Sequence, residues 1–333
     1  MSQQVRNLDG VFEGGGVKGI GLIGAFTVIE QEGYEFVRVA GTSAGAIVAS
    51  LLAAGYHADE LKRIMMNLDF NQFEDQSLIG RIPFAGQIVD ELFKKGLYEG
   101  NYFLHLMRGL LSAKGIHTFR DLTLDANATE DRNRYKLQVV ASDISGGRML
   151  VLPRDAALIG IAPDDLDVAL AVRMSMSIPF FFMPVQISQN YIVDGGLLSN
   201  FPVEIFDSDG PPRWPTFGFK LVCADDAQPA LQVRHPVNGP ISELAAMFFT
   251  AMEAHDAYYL SADKFVRTIA IDTIGVASTD FTIDQNQKDA LYQSGIDAAT
   301  SFLSHWDFDQ YKAIYRSGSP IPTRREHLLP AAS

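Results

Sequence analysis

The sequence predicts an α/β fold, a mostly parallel sheet between helices, and three observations carry that prediction. Short apolar runs rich in β-branched and aromatic residues alternate along the chain with longer helical patterns. A strand candidate at 10–13 runs straight into Gly14-Gly15-Gly16-Val17-Lys18-Gly19 and then a helical pattern at 20–30. A second strand candidate at 36–40 runs into Gly41-Thr42-Ser43-Ala44-Gly45 and a buried helix at 44–54. Strand, tight glycine turn, helix, given twice in succession, is the pattern of parallel strands joined by helical crossovers.

The second turn carries the sharper chemistry. In Gly-x-Ser-x-Gly the serine rides a strand-to-helix turn that throws its hydroxyl clear of the backbone, and a Cβ on either flanking residue would strike the neighbouring strand or helix. The bare pattern also arises by chance. The strand before Ser43 and the apolar helix after it supply the setting that a nucleophile elbow requires.

The first turn is an anion-binding arrangement, because backbone amides freed by glycine and by the first helical turn converge on one spot. Gly14-x-Gly16-x-x-Gly19 matches a dinucleotide fingerprint, but the second strand lacks the acidic residue at its far end that binds a ribose, with Glu35 at its beginning instead. A phosphate-binding P-loop is excluded, since no Lys-Ser or Lys-Thr pair closes the loop. The second chemistry that could use the loop is an oxyanion hole aimed at a tetrahedral intermediate on Ser43. The ends of consecutive parallel strands lie side by side, so loop and serine are expected to face one crevice.

Further along, the pattern predicts helices at 57–66, 102–111, 167–174, 241–262 and 285–303, and strands at 136–141, 148–152, 191–194, 217–223 and 266–271. The stretch 125–134 reads as a polar, exposed turn and 224–240 as a polar connection. The apolar residues scattered over 67–96 read mainly as core, with some forming a cap beside the site. Tyr191-Ile192-Val193-Asp194-Gly195-Gly196 delivers an aspartate to the end of a buried strand, a costly placement unless a partner holds it. The histidines at 57, 105, 117, 235, 255, 305 and 327 lie in helical or polar stretches, none in the strand-end setting of a triad histidine.

Composition bounds the partners. A net charge of −13 disfavours nucleic acid and gives no general attraction to anionic bilayers. The single cysteine, Cys223, excludes an internal disulfide framework and reads as a buried strand residue. No apolar run reaches membrane-spanning length, and the polar first nine residues lack a signal peptide's hydrophobic region, so a cytoplasmic location is expected. One domain over 1–333 is expected, with the motif-bearing part at 9–205, its completion at 206–320 and a loose tail at 327–333.

Four blocks together resemble those of the bacterial patatin-like phospholipases: the 14–19 loop, Gly41-Thr42-Ser43-Ala44-Gly45, Ser177-Ile178-Pro179, and Asp194-Gly195-Gly196 followed by Asn200 and Pro202. The resemblance implies a three-layer α/β/α sandwich related to the α/β-hydrolases. It implies Ser43 as nucleophile and Asp194 as general base of a Ser-Asp dyad. Gly14, Gly15, Gly16, Val17, Lys18 and Gly19 would form the oxyanion hole, and Gly41, Gly45, Gly195 and Gly196 would support the motifs. Lys18 stands where the family commonly has arginine, and Gly196 where alanine is also common. Beyond Pro202 the resemblance is thin.

The implied activity is a phospholipase A-like serine hydrolase acting on acyl esters of lipids, without cofactor or metal. Acyl-thioesterase or acyltransferase chemistry is the nearest alternative, a dinucleotide-binding protein the rival of another class, and a catalytically weak regulatory module a third reading. A lipid or acyl-ester substrate, a transient membrane-surface contact through the 70–93 stretch and an open oligomeric state complete the expectation. Aspartate is a weak base with a reference pKa of about 3.9, so the site must raise Asp194 by burial.

Overall fold

The computed structural model describes residues 5–68, 100–179, 181–222, 239, 243, 246–248, 250, 252, 262–278, 280 and 282–316. Among the described residues eight strands form one sheet: β1 Arg6–Phe12, β2 Tyr34–Thr42, β3 Leu137–Asp143, β4 Arg148–Leu152, β5 Val185–Ile187, β6 Asn190–Asp194, β7 Thr216–Val222 and β8 Thr268–Asp272. The order is β5-β6-β3-β2-β1-β7-β8, with β4 also paired to β3. The run β3-β2-β1-β7-β8 is parallel throughout, while β4 and β6 meet β3, and β5 meets β6, antiparallel. The sheet is therefore mixed, with a parallel centre.

From β1 the chain steps to β2 and β3 on one side and returns later to β7 and β8 on the other. The reversal leaves a crevice at the carboxyl ends of β1 and β7, where ligands bind in open α/β sheets. The glycine loop leaves β1 at this point.

The longer helices are α1 Ile20–Gln31, α2 Ala44–Ala53, α3 Ala58–Met66, α4 Asn101–Ala113, α5 Val168–Ser175, α6 Gln285–His305 and α7 Phe308–Tyr315. Eight α1 residues are buried, from Ile20 through Phe26 and at Ile29. A helix apolar on nearly every side needs cover on both, and α1 lies between the sheet and α6. Glycines let the two helices meet backbone to backbone: a Cβ on Gly24 would stand 2.0 Å from the Tyr292 carbonyl, and one on Gly295 2.0 Å from that of Gly21.

Strand alternation divides the core. Leu8 and Phe12 of β1 join the large cluster containing α1 and α2, where Phe12 stacks on Phe219 of β7 at 4.4 Å. Val11 and Ala40 pack separately against Phe206. Burying Phe12 in this way stabilises the sheet by about 1.5–3 kcal/mol.

Expected and observed elements differ mainly at ends. The strand expected from residue 10 begins at Arg6, because its first two residues are exposed and polar and carry no apolar signal. His57 is the N-cap of α3 rather than part of it, in a capping box with Glu60. β5 and α7 are unanticipated elements, the first only three residues long, too short for its alternation to stand out. The 125–134 turn contains a helical turn at Asp131–Arg134. Glu243, Met252 and the positions described between them are helical, as expected for 241–262. Cys223, His235, His255, His327, the 70–93 stretch and the 327–333 tail lie outside the described residues. Among the described residues no helix is long and apolar enough to cross a membrane.

Candidate active site

Ser43 stands between β2 and α2 at φ 52°, ψ −123°. Positive φ is strained for a side chain other than glycine, and the surroundings hold it there. The N-terminus of α2 is pressed into the strand ends, so that a Cβ on Gly41 would lie 2.3 Å from the Gly45 carbonyl and one on Gly45 2.1 Å from the Phe12 carbonyl. The Ser43 amide donates to Ser175 Oγ at 2.9 Å, and that hydroxyl donates to the Val140 carbonyl at 2.6 Å. One α5 side chain thus ties the elbow to β3.

Asp194 reaches the same place along β3. β2 pairs with β3 as far as Thr42 opposite Val140, and β6 pairs with it from Asp194 opposite Ala141. Because β4 occupies the other edge of β3 from Val139 to Asp143, overlapping both stretches, β2 and β6 share a single edge end to end. Close packing of the turn after Asp194 requires glycine: a Cβ on Gly195 would stand 2.3 Å from the Val140 carbonyl.

The aspartate is 2% exposed. Its amide donates to the Ser177 carbonyl at 2.9 Å, and Oδ1 accepts from the Gly196 amide at 2.7 Å. Oδ2 is buried and, among the described residues, has no partner in hydrogen-bond geometry. Burial pushes the carboxyl up to about 7, against the opposing pull of the nearby Ser43 hydroxyl and the Gly196 amide. The Ser43 hydroxyl is therefore close enough to act on the carboxyl without completing a bond to Oδ2.

The glycine loop closes the third side, as a Cβ on Gly14 would lie only 3.1 Å from that of Ser43. Gly14 is clamped by Asn200, whose carbonyl accepts its amide at 3.3 Å and whose Nδ2 donates to its carbonyl at 3.2 Å. Glu13, just before the loop, is 3% exposed and accepts from the Leu221 amide and Lys220 Nζ of β7, both at 2.5 Å. The Val17 amide donates to the Ser278 carbonyl and the Lys18 amide to that of Gly15, both at 3.2 Å. Among the described residues this leaves the amides of Gly15 and Gly16 without an acceptor. Gly16 has φ +57°, and a Cβ there would fall 1.8 Å from the Ser278 carbonyl.

Gly16, Val17, Ser43 and Ala44 border a narrow cleft that continues between α2, α3 and α4. Its free volume is about 40 Å³, and Ser43 supplies the one polar side chain among its described lining residues. Lys18 and Gly19 lie outside that lining. Of the described histidines none lines the cleft, and His57 is bound to Glu30 at 2.8 Å. Among the described residues no group of three or more His, Cys, Asp or Glu is arranged to hold a metal ion.

Sequence reasoning missed three supporting residues. Ser175 had the signal of a lone hydroxyl at the end of an apolar helix, and Glu13 that of a carboxylate closing an apolar strand. Asn200 belongs to the fourth block, whose pattern carries no sign of its contacts with Gly14.

The chain matches the family model for patatin-like phospholipase over residues 10–207. It is 37% identical to the uncharacterised protein YqhO of Bacillus subtilis over 305 residues, covering 90% of this chain and 99% of that one. It is 24% identical over 196 residues to protein 463L of Invertebrate iridescent virus 6, which is described as a probable lipid hydrolase, covering 59% and 61% of the two chains. Among solved structures it is similar to VipD from Legionella pneumophila, with a TM-score of 0.53 and 19% identity over 91% of this chain and 67% of that one.

Proposed function

Because the chain belongs to the patatin-like phospholipase family, we propose that it is a serine lipid acyl hydrolase in which Ser43 is the nucleophile and Asp194 the general base. The observation that carries this reading is the meeting of a strained elbow serine with a buried, high-pKa aspartate on one edge of β3. A carboxylate titrating near neutrality is a far better base than an ordinary aspartate, so the weakness of the residue type is offset by its burial.

In the proposed reaction Ser43 Oγ attacks the acyl carbonyl as its proton passes to Asp194. The developing oxyanion is received by the amides of Gly15 and Gly16, the loop donors with no other acceptor. Asp194 returns the proton to the leaving alcohol, and water then cleaves the acyl-enzyme by the same steps in reverse. The acyl chain lies in the apolar cleft beside Ser43. That cleft is too narrow for a chain as it stands, room for no more than a few waters, and Met65, Met107 and Met176 in its wall are the side chains flexible enough to yield.

The dinucleotide reading loses its footing at the second strand, which ends on the Ser43 elbow where a ribose-binding carboxylate would stand. Fluorophosphonate labelling with the modified residue mapped tests the proposal. Adduct on Ser43, absent from Ser43→Ala, supports it; adduct elsewhere, or none alongside saturable binding of a dinucleotide, overturns it.

A further inference from the structure

A second cavity of about 430 Å³ lies on the Val11 and Ala40 face of the sheet, bordered by β1, β2, the start of β7 and α7, and it shares no described lining residue with the catalytic cleft. A volume of that order suits a small organic molecule.

Its wall is rich in guanidinium groups whose pairing is incomplete. Arg38 is matched by Asp9, Nε to Oδ1 at 3.0 Å, and Arg132 by Glu130 at 2.8 Å. Deeper in, the single carboxylate of Asp207 serves two arginines. It takes Arg267 in a two-pronged pair at 2.8 and 2.6 Å, while Arg316 Nη1 is 3.4 Å from Oδ2 without hydrogen-bond geometry. Both arginine side chains are 2% exposed. Asp263 is near enough to Arg267 to favour its charge.

Among the described residues four fully buried groups in this wall have no hydrogen-bond partner: Trp214 Nε1, Arg267 Nε, Arg316 Nη1 and the Tyr311 hydroxyl. All four can donate. Buried polar groups are rarely left unmatched, and a set of unmatched donors around one cavity calls for an acceptor. At the rim, exposed Arg213 has no ion-pair partner among the described residues and stacks on Trp214, 5.3 Å from the ring centroid, which adds a flat aromatic wall beside a free positive charge.

We propose that this cavity is a second ligand site, separate from the catalytic cleft, for a small molecule bearing a phosphate or carboxylate group. Planar guanidinium forks accept either oxyanion, so the chemistry common to both is what the site recognises. Sharing no lining residue with Ser43, it takes an effector rather than the acyl substrate.

The test is titration of the full chain with inorganic phosphate and, separately, acetate at constant ionic strength, read by calorimetry. Saturable binding of either anion is expected, and the tighter of the two identifies the oxyanion preferred. Arg316→Gln should weaken it about tenfold or more and Tyr311→Phe about threefold, the latter in a fold undisturbed because the lost hydroxyl has no partner. Arg120→Gln, in an exposed ion-pair group elsewhere, should change nothing. Absence of saturable binding of both anions, or equal weakening in Arg120→Gln and Tyr311→Phe, would overturn the proposal.

Discussion

Ser43 and Asp194 sit end to end on one edge of β3, the first just past the residue that faces Val140 and the second facing Ala141. A handover between a parallel and an antiparallel neighbour brings the ends of β2 and β6 together, and the tight turn after β2 carries Ser43 toward Asp194. If they act as one unit, Ser43→Ala and Asp194→Asn should each lower ester turnover by at least about a thousandfold, and the double variant should be no worse than the single ones. Steady-state rates on a fluorogenic ester, with circular dichroism as the check on folding, decide it. Near-normal turnover in a folded Asp194→Asn would remove the base from the mechanism.

The raised pKa of Asp194 makes two linked pH predictions. As a base it must be ionised, so kcat/KM should rise with pH through an inflection near 7. For stability, a carboxyl that ionises at 3.8 when unfolded and at about 7 when folded holds its proton more tightly in the native state. Its stabilising contribution is complete below pH 3.8 and is lost as pH rises through 7, a change on the order of a few kcal/mol. Asp194→Asn should therefore melt higher than the parent at pH 8 while the two converge in acid. Parallel melting curves across that range would contradict the assignment.

The glycine loop separates strain from catalysis. Gly15→Ala meets the end of a flexible side chain, Leu221 Cδ1 at 2.2 Å, whereas Gly16→Ala meets the Ser278 carbonyl at a positive φ. Gly15→Ala should thus fold nearly as well as the parent and still lose turnover with little change in KM, because misdirected oxyanion donors act mainly on the transition state. Gly16→Ala should lose both stability and turnover. Separate kcat and KM values, beside thermal melts, distinguish the two.

How much of this was legible beforehand depends on whether a feature is local. The elbow, the glycine loop and the strand ending in Asp194 are short motifs, and each lies where the sequence suggested. The first strand starts at Arg6 rather than at residue 10 because its exposed first residues carry no apolar signal. Which loop amides remain free could not be read from sequence, since Gly14, Val17 and Lys18 are occupied by Asn200, Ser278 and Gly15, two of them distant in the chain. The same holds for Ser175, which touches Ser43 across 132 positions.

Ser175 offers a test of elbow support apart from chemistry. Ser175→Ala leaves the Ser43 amide and the Val140 carbonyl buried without their shared hydroxyl, which should cost about 1–3 kcal/mol. Turnover should fall as well, since that amide fixes the strained serine, while Ser175→Thr should recover part of both losses. Chemical denaturation and initial rates measured on the same samples would reveal whether the two effects travel together; unchanged stability in Ser175→Ala would remove the bridge from the account.

The cleft itself makes the last prediction. It follows α2 from Ala44 past Ile47 to Leu51, and the seven helical steps between them span about 10 Å. Leu51 of α2 and Leu110 of α4 both line it, so a bulky side chain at either should shorten the space open to an acyl chain without touching Ser43. Leu51→Trp and Leu110→Trp are therefore expected to move the preferred chain of a series of p-nitrophenyl esters toward shorter acyl groups. Acetate-ester turnover should stay close to that of the parent, because the first carbons next to the carbonyl do not reach Leu51. A uniform loss across all chain lengths would point to damaged packing, since Leu51 is also 1% exposed and part of the core. An unchanged length profile in folded variants would mean that the acyl chain leaves Ser43 by another route.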